Sequence, residues 1–331
     1  MFDGLPEPVA RYFSQGARDG ITAGEAVAAW DRLRFLPSVL RDVTRVDTAT
    51  TLLGTPLSAP VAVAPTTLQR AAHPDGEQAM ARGVVRSGSL LVVSSNAGTP
   101  FAAIGATGVA WWLQLYLTAD RSMSAPVLEA AVAAGARAVV LTADTPVAGT
   151  KYDDGPMVWD SVDPSYLRAN FPPEATGPGA EKATDLGPHD VEWLAREGGL
   201  PVVVKGVLRA DDARRSVDAG AAAIWVSNHG GRQLDRTAAT ARCLRPVAEA
   251  VGDRVEVYVD GGVRCGAHVL AALALGARGV FVGRSALAAL ADAGDAGVAG
   301  LLASMREELT EAMTLAGRAS LAQLGPDLLA E

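Results

Sequence analysis

Cysteine is nearly absent from this sequence: Cys243 and Cys265 are the only two in 331 residues. Two cysteines make neither a disulfide framework nor a zinc site, so they read as small buried hydrophobes in a reducing compartment. Positive charge is also scarce. Lys and Arg number 29 against 37 Asp and Glu, for a net charge of −8 and a pI near 5.1. No Lys/Arg-rich run appears, which argues against nucleic acid as a partner. The first thirteen residues lack a basic stretch followed by an apolar one, so they are not a secretory signal. Long apolar runs are missing too: Val202–Val204 and Val280–Gly283 have strand length and are far too short to span a bilayer. The expectation is a cytoplasmic protein that binds no membrane. Aromatics make up only 5%, and Trp111 and Trp112 can be read either as core or as pocket.

What is present is repetition. Short apolar runs, each bounded by Gly, Pro or polar residues, recur at Val61–Pro65, Leu90–Ser95, Trp111–Leu117, Ala138–Asp144, Val202–Val207, Ala223–Asn228, Val255–Gly262 and Gly279–Arg284. Continuous rather than alternating hydrophobicity is what a parallel strand covered on both faces requires. Ala- and Leu-rich stretches with helical spacing lie between most of them, as at Val127–Ala134, Ala210–Ala219 and Gly266–Leu275. Eight such β/α units predict an α/β fold, a TIM (β/α)₈ barrel, with an open doubly wound sheet as the alternative. A barrel of this length forms a single domain over residues 1–331 and buries about three quarters of its unfolded surface.

Two segments fall outside the repeat. Residues 1–60 read as a helical prelude in which Ile21–Leu33 is a helix, Thr22 its N-cap and Glu25 the capping-box partner. Residues 150–190, rich in Pro, Gly, Asp and Glu, interrupt the chain after the fourth strand. An insertion there lies on the catalytic face, so its functional reading is a mobile active-site lid, with a disordered decoration as the alternative.

Barrel chemistry sits at the C-terminal ends of strands, and this chain places unusual residues there. Gln114 and Tyr116 end the third strand, Thr142 and Asp144 the fourth. Lys205 interrupts the apolar fifth, and Ser227-Asn228-His229-Gly230-Gly231-Arg232 follows the sixth. A lysine in a buried strand is costly without a negative partner, so Lys205 implies a carboxylate or an anionic ligand. Asp144 lies within reach of His229 across a barrel mouth, and such a pair raises the proton affinity of a histidine that serves as a general base. Asp260-Gly261-Gly262-Val263-Arg264 and Gly283-Arg284, at the ends of strands seven and eight, suggest a phosphate site.

At these residues the sequence resembles the FMN-dependent α-hydroxy acid oxidase/dehydrogenase family. The hallmark is Ser227-Asn-His-Gly-Gly-Arg-Gln-Leu-Asp235. Tyr12–Gly16, Ala64–Gln69, His73–Glu77, Gln114–Tyr116, Thr142–Pro146, Val204–Val207, Asp260–Gly266 and Met313–Gly317 extend the likeness over nearly the whole chain. The resemblance implies FMN as cofactor and oxidation of an L-2-hydroxy acid to the 2-oxo acid. His229 is then the base and Asp144 the stabiliser of its imidazolium. Arg232 and Tyr12 hold the substrate carboxylate, and Tyr116 hydrogen-bonds the substrate. Lys205 stands beside the flavin N1–C2=O edge. Ser94, Gln114, Thr142 and Ser227 belong with the cofactor, and Pro65, Thr66 and Thr67 pack beside its ring. Asp260, Gly262, Arg264, Gly283 and Arg284 hold its phosphate. Oxygen or an external carrier takes the electrons, and a homotetramer is implied.

Three positions depart from the family pattern. Lys151 stands where the family has a second carboxylate-clamping arginine, and a lysine lacks the bidentate fork. Thr67 replaces a usual Ala or Gly beside the flavin, and Asn96 replaces a larger or apolar pocket residue. The departures leave the substrate open: a simple 2-hydroxy acid, or a modified one from a specialised pathway. A different FMN reaction, with another acceptor or product, also stays open. A barrel that merely retains FMN is disfavoured by the joint presence of Tyr116, Asp144, His229 and Arg232.

Overall fold

The computed structural model describes every residue except Asp153, Asp154, Pro156, Pro173, Glu174, Thr176 and Glu331. Its described residues form a closed barrel of eight parallel strands: β1 (Val61–Val63), β2 (Leu91–Ser94), β3 (Trp111–Leu115), β4 (Val139–Thr142), β5 (Val202–Val207), β6 (Ala223–Val226), β7 (Glu256–Val259) and β8 (Gly279–Val282). β8 closes on β1 through the pairs Val280–Val61, Phe281–Ala62 and Val282–Val63. The strands occupy the expected places, and most are shorter than their apolar runs. At β7, for example, Gly261 and Gly262 leave the ladder at φ 89° and 85°, so the end of the run becomes a mouth loop rather than strand.

The barrel interior answers the tryptophan question. Trp112, Trp225, Tyr258 and Phe281 fill it with the small residues Ala62, Ala138 and Ala223, and the Trp225 and Phe281 ring centroids lie 3.9 Å apart. Trp111, its side chain on the opposite face of β3, packs in the outer layer under the helices. Both tryptophans are core. A hairpin of Thr50–Leu52 and Thr55–Leu57 adds Leu52 and Leu57 to the inner cluster. Cys243 and Cys265 are free and only partly buried.

Three expectations need correction, the first being a helical prelude over residues 1–60, which at Thr50–Leu52 and Thr55–Leu57 forms the hairpin instead. The second prelude helix runs Ile21–Asp31, and its N-cap is Gly20, left-handed at φ 71°. Thr22 therefore sits inside the first turn, where its N–H donates to Asp235 Oδ1 at 2.9 Å. That carboxylate, arriving from the loop after β6, does the work expected of Thr22 and Glu25. The helix Arg284–Leu315, 32 residues with a window of mean hydropathy 1.4, is long and apolar enough by length and composition to cross a membrane, which the sequence windows missed. Ala293 and Gly294 have non-helical angles and break it, and it packs against the helices Gly76–Ser87 and Gly266–Ala274.

Among its described residues, the insertion lies across the mouth with short 3₁₀ turns at Val158–Asp160 and Pro164–Tyr166. Backbone bonds tie it down: Arg168 N–H to Asn96 O, Ala183 N–H to Leu117 O, and Arg18 N–H to Thr150 O. Asp153, Asp154, Pro156, Pro173, Glu174 and Thr176 fall within it, so part of the expected lid lies outside the described residues.

Candidate active site

Two cavities meet at the C-terminal mouth. The inner one, about 1040 Å³ counted out to its opening, is walled by Pro65, Thr66, Ser94, Gln114, Thr142, Lys205 and the loops after β7 and β8. The outer cavity lies beneath the insertion and is lined by Asn96, Lys151, Trp159, Arg168, Lys182 and Gln233. Tyr12, Thr67, Tyr116, His229 and Arg232 line both. A molecule in one cavity therefore meets a molecule in the other at the residues best suited to acid–base work.

The base is built on a strained turn. His229, Gly230 and Gly231 are all left-handed, at φ 56°, 63° and 74°, a conformation that costs a non-glycine residue roughly 1–2 kcal/mol. The turn places His229 Nδ1 3.0 Å from Asp144 Oδ1 and Nε2 3.4 Å from the Tyr116 hydroxyl. Asp144 fits because position 206 is glycine. A Cβ there would lie 2.6 Å from Asp144 Cβ, and Gly206 has φ 103°, where β5 and β6 slip register between Lys205 and Val207. Neither Gly206 nor Thr145, whose hydroxyl bonds Asp144 at 3.1 Å and lies 3.3 Å from His229 Nδ1, was singled out from sequence. The glycine inside an apolar strand was the readable signal for the first.

Electrostatics then fix the protonation states. Burial pulls the His229 pKa below that of free histidine, and the neighbouring Asp144 only partly opposes it. The expected net rise in proton affinity is thus reversed, and the ring rests neutral. For Asp144 burial pushes upward, but its bond and attraction to His229, together with Lys205, hold the carboxyl below the ordinary value. An ionised Asp144 facing a neutral His229 is the resting pair of a general base. Burial, reinforced by Asp144, raises the Tyr116 phenol, which stays protonated and available as a donor.

Arg232 and Arg284 fasten the prelude to the mouth. Arg232 Nη1 donates to Tyr12 O and Gln15 O at 2.7 and 3.0 Å. Arg284 donates to Phe13 O, Gln15 O and Gly230 O. The accepting carbonyls at positions 12–15 close the first helix, Glu7–Ser14, an end that favours cations. Nε and Nη2 of Arg232 keep no hydrogen-bond partner among the described residues and remain for a ligand. Tyr12 reaches the same place, its hydroxyl 3.1 Å from Thr67 Oγ1. Thr67 thus anchors Tyr12 at the boundary of the two cavities.

Lys151 is not a free clamp. Its ammonium donates to Gly149 O and Arg232 O, each at 2.6 Å. Burial, with Arg232 and Arg284 nearby, lowers its pKa to about 8.

The carboxylate that Lys205 requires is Asp260, 3.2 Å away, and Ser227 Oγ bonds both, at 2.8 and 2.7 Å. Both Asp260 Oδ atoms are therefore engaged, and a carboxylate repels phosphate. This moves Asp260 from the phosphate cradle to the support of Lys205. Ser227, fully buried, is likewise a brace, its hydroxyl also accepting His229 N–H at 3.1 Å. Gln114 Nε2 donates to Thr142 Oγ1 at 3.0 Å, and with Ser94 they form a polar wall beside Lys205.

What remains at the end of the inner cavity is cationic. Arg264 and Arg284 line it with Gly262 and Gly283. Burial and the repulsion of Arg232 and Arg264 drag Arg284 down to about 10. Buried guanidinium groups that repel one another, beside a helix N-terminus at Gly283, are matched to a phosphate dianion. Gly262 is required there: a Cβ would come within 2.2 Å of Ala26 O.

Comparison with known proteins agrees. Residues 3–331 match the family model described as FMN-dependent dehydrogenase. The chain belongs to this family. It is 40% identical over 335 residues to glycolate oxidase 1 of Oryza sativa subsp. indica, covering 97% of this chain and 90% of the rice protein. To the glycolate oxidase of Spinacia oleracea it is 39% identical, with the same coverage. A solved mandelate oxidase bound to benzoyl-formic acid superposes with TM-score 0.90 at 37% identity, covering 99% of this chain and 94% of that one. Membership makes the protein an FMN-dependent oxidoreductase. The polar wall with Lys205 suits a flavin ring, and the Arg264–Arg284 cradle suits its phosphate.

Proposed function

We propose that this FMN-dependent dehydrogenase family member oxidises an L-2-hydroxy acid to the 2-oxo acid and passes the electrons to oxygen. The observation that carries the reading is His229, braced by Asp144 at 3.0 Å, on the boundary between the flavin cavity and the outer cavity. Bound FMN supplies a two-electron acceptor. Arg232 binds the substrate carboxylate through its unused Nε and Nη2, and Tyr12 completes the hold. That fixes the hydroxyl-bearing carbon between His229 and the inner cavity. His229 takes a proton from the substrate on Nε2, and Asp144 stabilises the imidazolium through Nδ1. Tyr116 donates its hydroxyl hydrogen to the substrate oxygen as negative charge develops there. Lys205, with two of its three donors on Ser227 and Asp260, keeps a third for the flavin edge. The names of the relatives, glycolate oxidase and mandelate oxidase, support both the substrate class and oxygen as acceptor.

Anaerobic mixing of the flavin-loaded protein with glycolate, lactate, mandelate and longer 2-hydroxy acids tests the reading. At least one should bleach the flavin, and His229→Ala should abolish bleaching. No bleaching by any 2-hydroxy acid overturns it. Oxygen admitted afterwards should restore the colour within the turnover time; slow recolouring with fast reoxidation by a quinone or dye would assign a different acceptor. A cytoplasmic location belongs to the same reading, supported by the scarcity of cysteine, and a homotetramer is what the family resemblance implies. Sedimentation and cell fractionation test the two points.

A further inference from the structure

Among the described residues, the outer cavity is lined by more positive charge than the reaction above uses. Arg11, Lys151, Arg168, Lys182 and Arg232 all line it, and among the described residues no aspartate or glutamate does. This is in a chain of net charge −8. Arg11 pairs with Glu7 at 3.0 Å, Lys151 is held by two carbonyls, and Arg232 is assigned to the substrate carboxylate. Arg168 lends Nη2 to Ala175 O and lies over the Phe171 ring, with its other nitrogens uncommitted among the described residues.

Lys182 stands apart. Its ammonium lies 3.9 Å from the centre of the Tyr116 ring and has no hydrogen bond or ion pair among the described residues. Its backbone is fixed, because residues 181–183 run beside Leu117–Ala119 through Ala119 N–H to Glu181 O and Ala183 N–H to Leu117 O, each at 2.8 Å. The lysine is half-buried, and burial lowers its proton affinity while Asp144 works the other way. A partly desolvated ammonium placed by rigid backbone, with only a ring face for company, is matched to an anion.

Position supplies the rest. The ring under Lys182 is the one whose hydroxyl stands 3.4 Å from His229 Nε2. A 2-hydroxy acid with its carboxylate on Arg232 and its hydroxyl at His229 must send its side group into the outer cavity, since the inner one takes FMN. Lys182 and Arg168 wait there.

We propose that the preferred substrate is a 2-hydroxy acid whose side group carries a second anionic group, a carboxylate or a phosphate, recognised by Lys182 with Arg168. This rests on the 2-hydroxy acid reading above and deepens it. The bland alternative is that Lys182 only braces Tyr116 by a cation–π contact.

The test compares L-malate and L-2-hydroxyglutarate with L-2-hydroxybutyrate and L-2-hydroxyvalerate, whose side groups are neutral, and adds the L enantiomer of 3-phosphoglycerate, in wild type and Lys182→Met. Methionine keeps an unbranched stem on the Tyr116 ring and removes the charge. Wild type should show kcat/KM at least tenfold higher for a doubly anionic acid than for its neutral partner. Lys182→Met should erase that preference and leave the neutral acids within threefold. A preference for phosphoglycerate over the diacids names phosphate as the group, and the reverse names carboxylate. Equal losses for neutral and anionic acids assign Lys182 to Tyr116 alone and overturn the proposal, as does a wild-type preference for neutral acids. Binding of unreactive succinate against butyrate, read by calorimetry on the FMN-loaded protein, decides separately. If no acid bleaches the flavin, the reaction reading fails, while tighter succinate binding lost in Lys182→Met still upholds the anion site.

Discussion

Asp144→Asn isolates the charge behind the base. Asparagine has the same shape, so its oxygen can still accept from His229 Nδ1–H at about the 3.0 Å of the native contact. The space made by Gly206 remains sufficient. What disappears is the negative charge facing the imidazolium once His229 has taken its proton. At an effective dielectric near 20, two unit charges about 4 Å apart attract by roughly 4 kcal/mol, which sets the upper limit. A hydrogen bond to a charged group is worth a net of about 1.5–3 kcal/mol. At 1.36 kcal/mol per decade, the smaller range slows proton transfer by about 10- to 150-fold. The assay is the anaerobic rate of flavin bleaching at saturating substrate, with FMN content checked by absorbance. Raising the pH should not rescue the variant, because losing Asp144 removes a contribution that raises the His229 pKa, so the ring is neutral over an even wider range. A rate within threefold of wild type, or full rescue at high pH, would refute the reasoning.

Three further outcomes follow from the same geometry. Only neutral His229 accepts a proton, and its folded-state pKa lies below the free value because of burial. The acid limb of kcat/KM should therefore fall below about 6.5, and a limb at or above that value contradicts the assignment. Gly206→Ala puts a Cβ 2.6 Å from Asp144 Cβ at φ 103°. It should cost more than about 1 kcal/mol of stability and slow bleaching by displacing Asp144; an unchanged melting temperature and rate would count against the fit described. Arg264→Met removes one arm of the phosphate cradle and should weaken FMN binding roughly tenfold or more, with riboflavin affinity unchanged. Equal losses for both flavins would place Arg264 elsewhere.

The barrel was legible because burial on both faces leaves a mark that one strand cannot hide: a continuous apolar run closed by a polar end, eight times over. The polar ends pointed to the mouth, and His229, Asp144, Tyr116 and Arg232 do gather there. The Asp144–His229 pairing was legible too, but most finer contacts between distant segments were not. Whether Asp260 faces a phosphate or a lysine depends on the Lys205 rotamer and on Ser227 between them. Whether Lys151 clamps a ligand depends on two carbonyls, one of them 81 residues away. Lys182 gave no signal, because its importance arises only where residues 181–183 run beside Leu117–Ala119 and bring it over Tyr116.

The prelude belongs to the same account. A histidine in the left-handed region, followed by two left-handed glycines, persists only where its surroundings over-determine it. Here the surroundings are the first thirty residues. Gly231 O accepts Ala17 N–H at 2.8 Å, and its Cα faces Ala23 so closely that a Cβ would lie 2.5 Å from Ala23 N. Asp235 caps the helix that presses there, and Arg232 and Arg284 hold the helix before it. Each contact runs from the loop after β6 or the start of the last helix to a prelude segment with no strand in the barrel. The barrel positions β6 and, through Ser227, the His229 N–H, and the prelude holds the rest of the turn from outside it. The segment that reads as a mere preface to the repeat thus helps fix the geometry of the base.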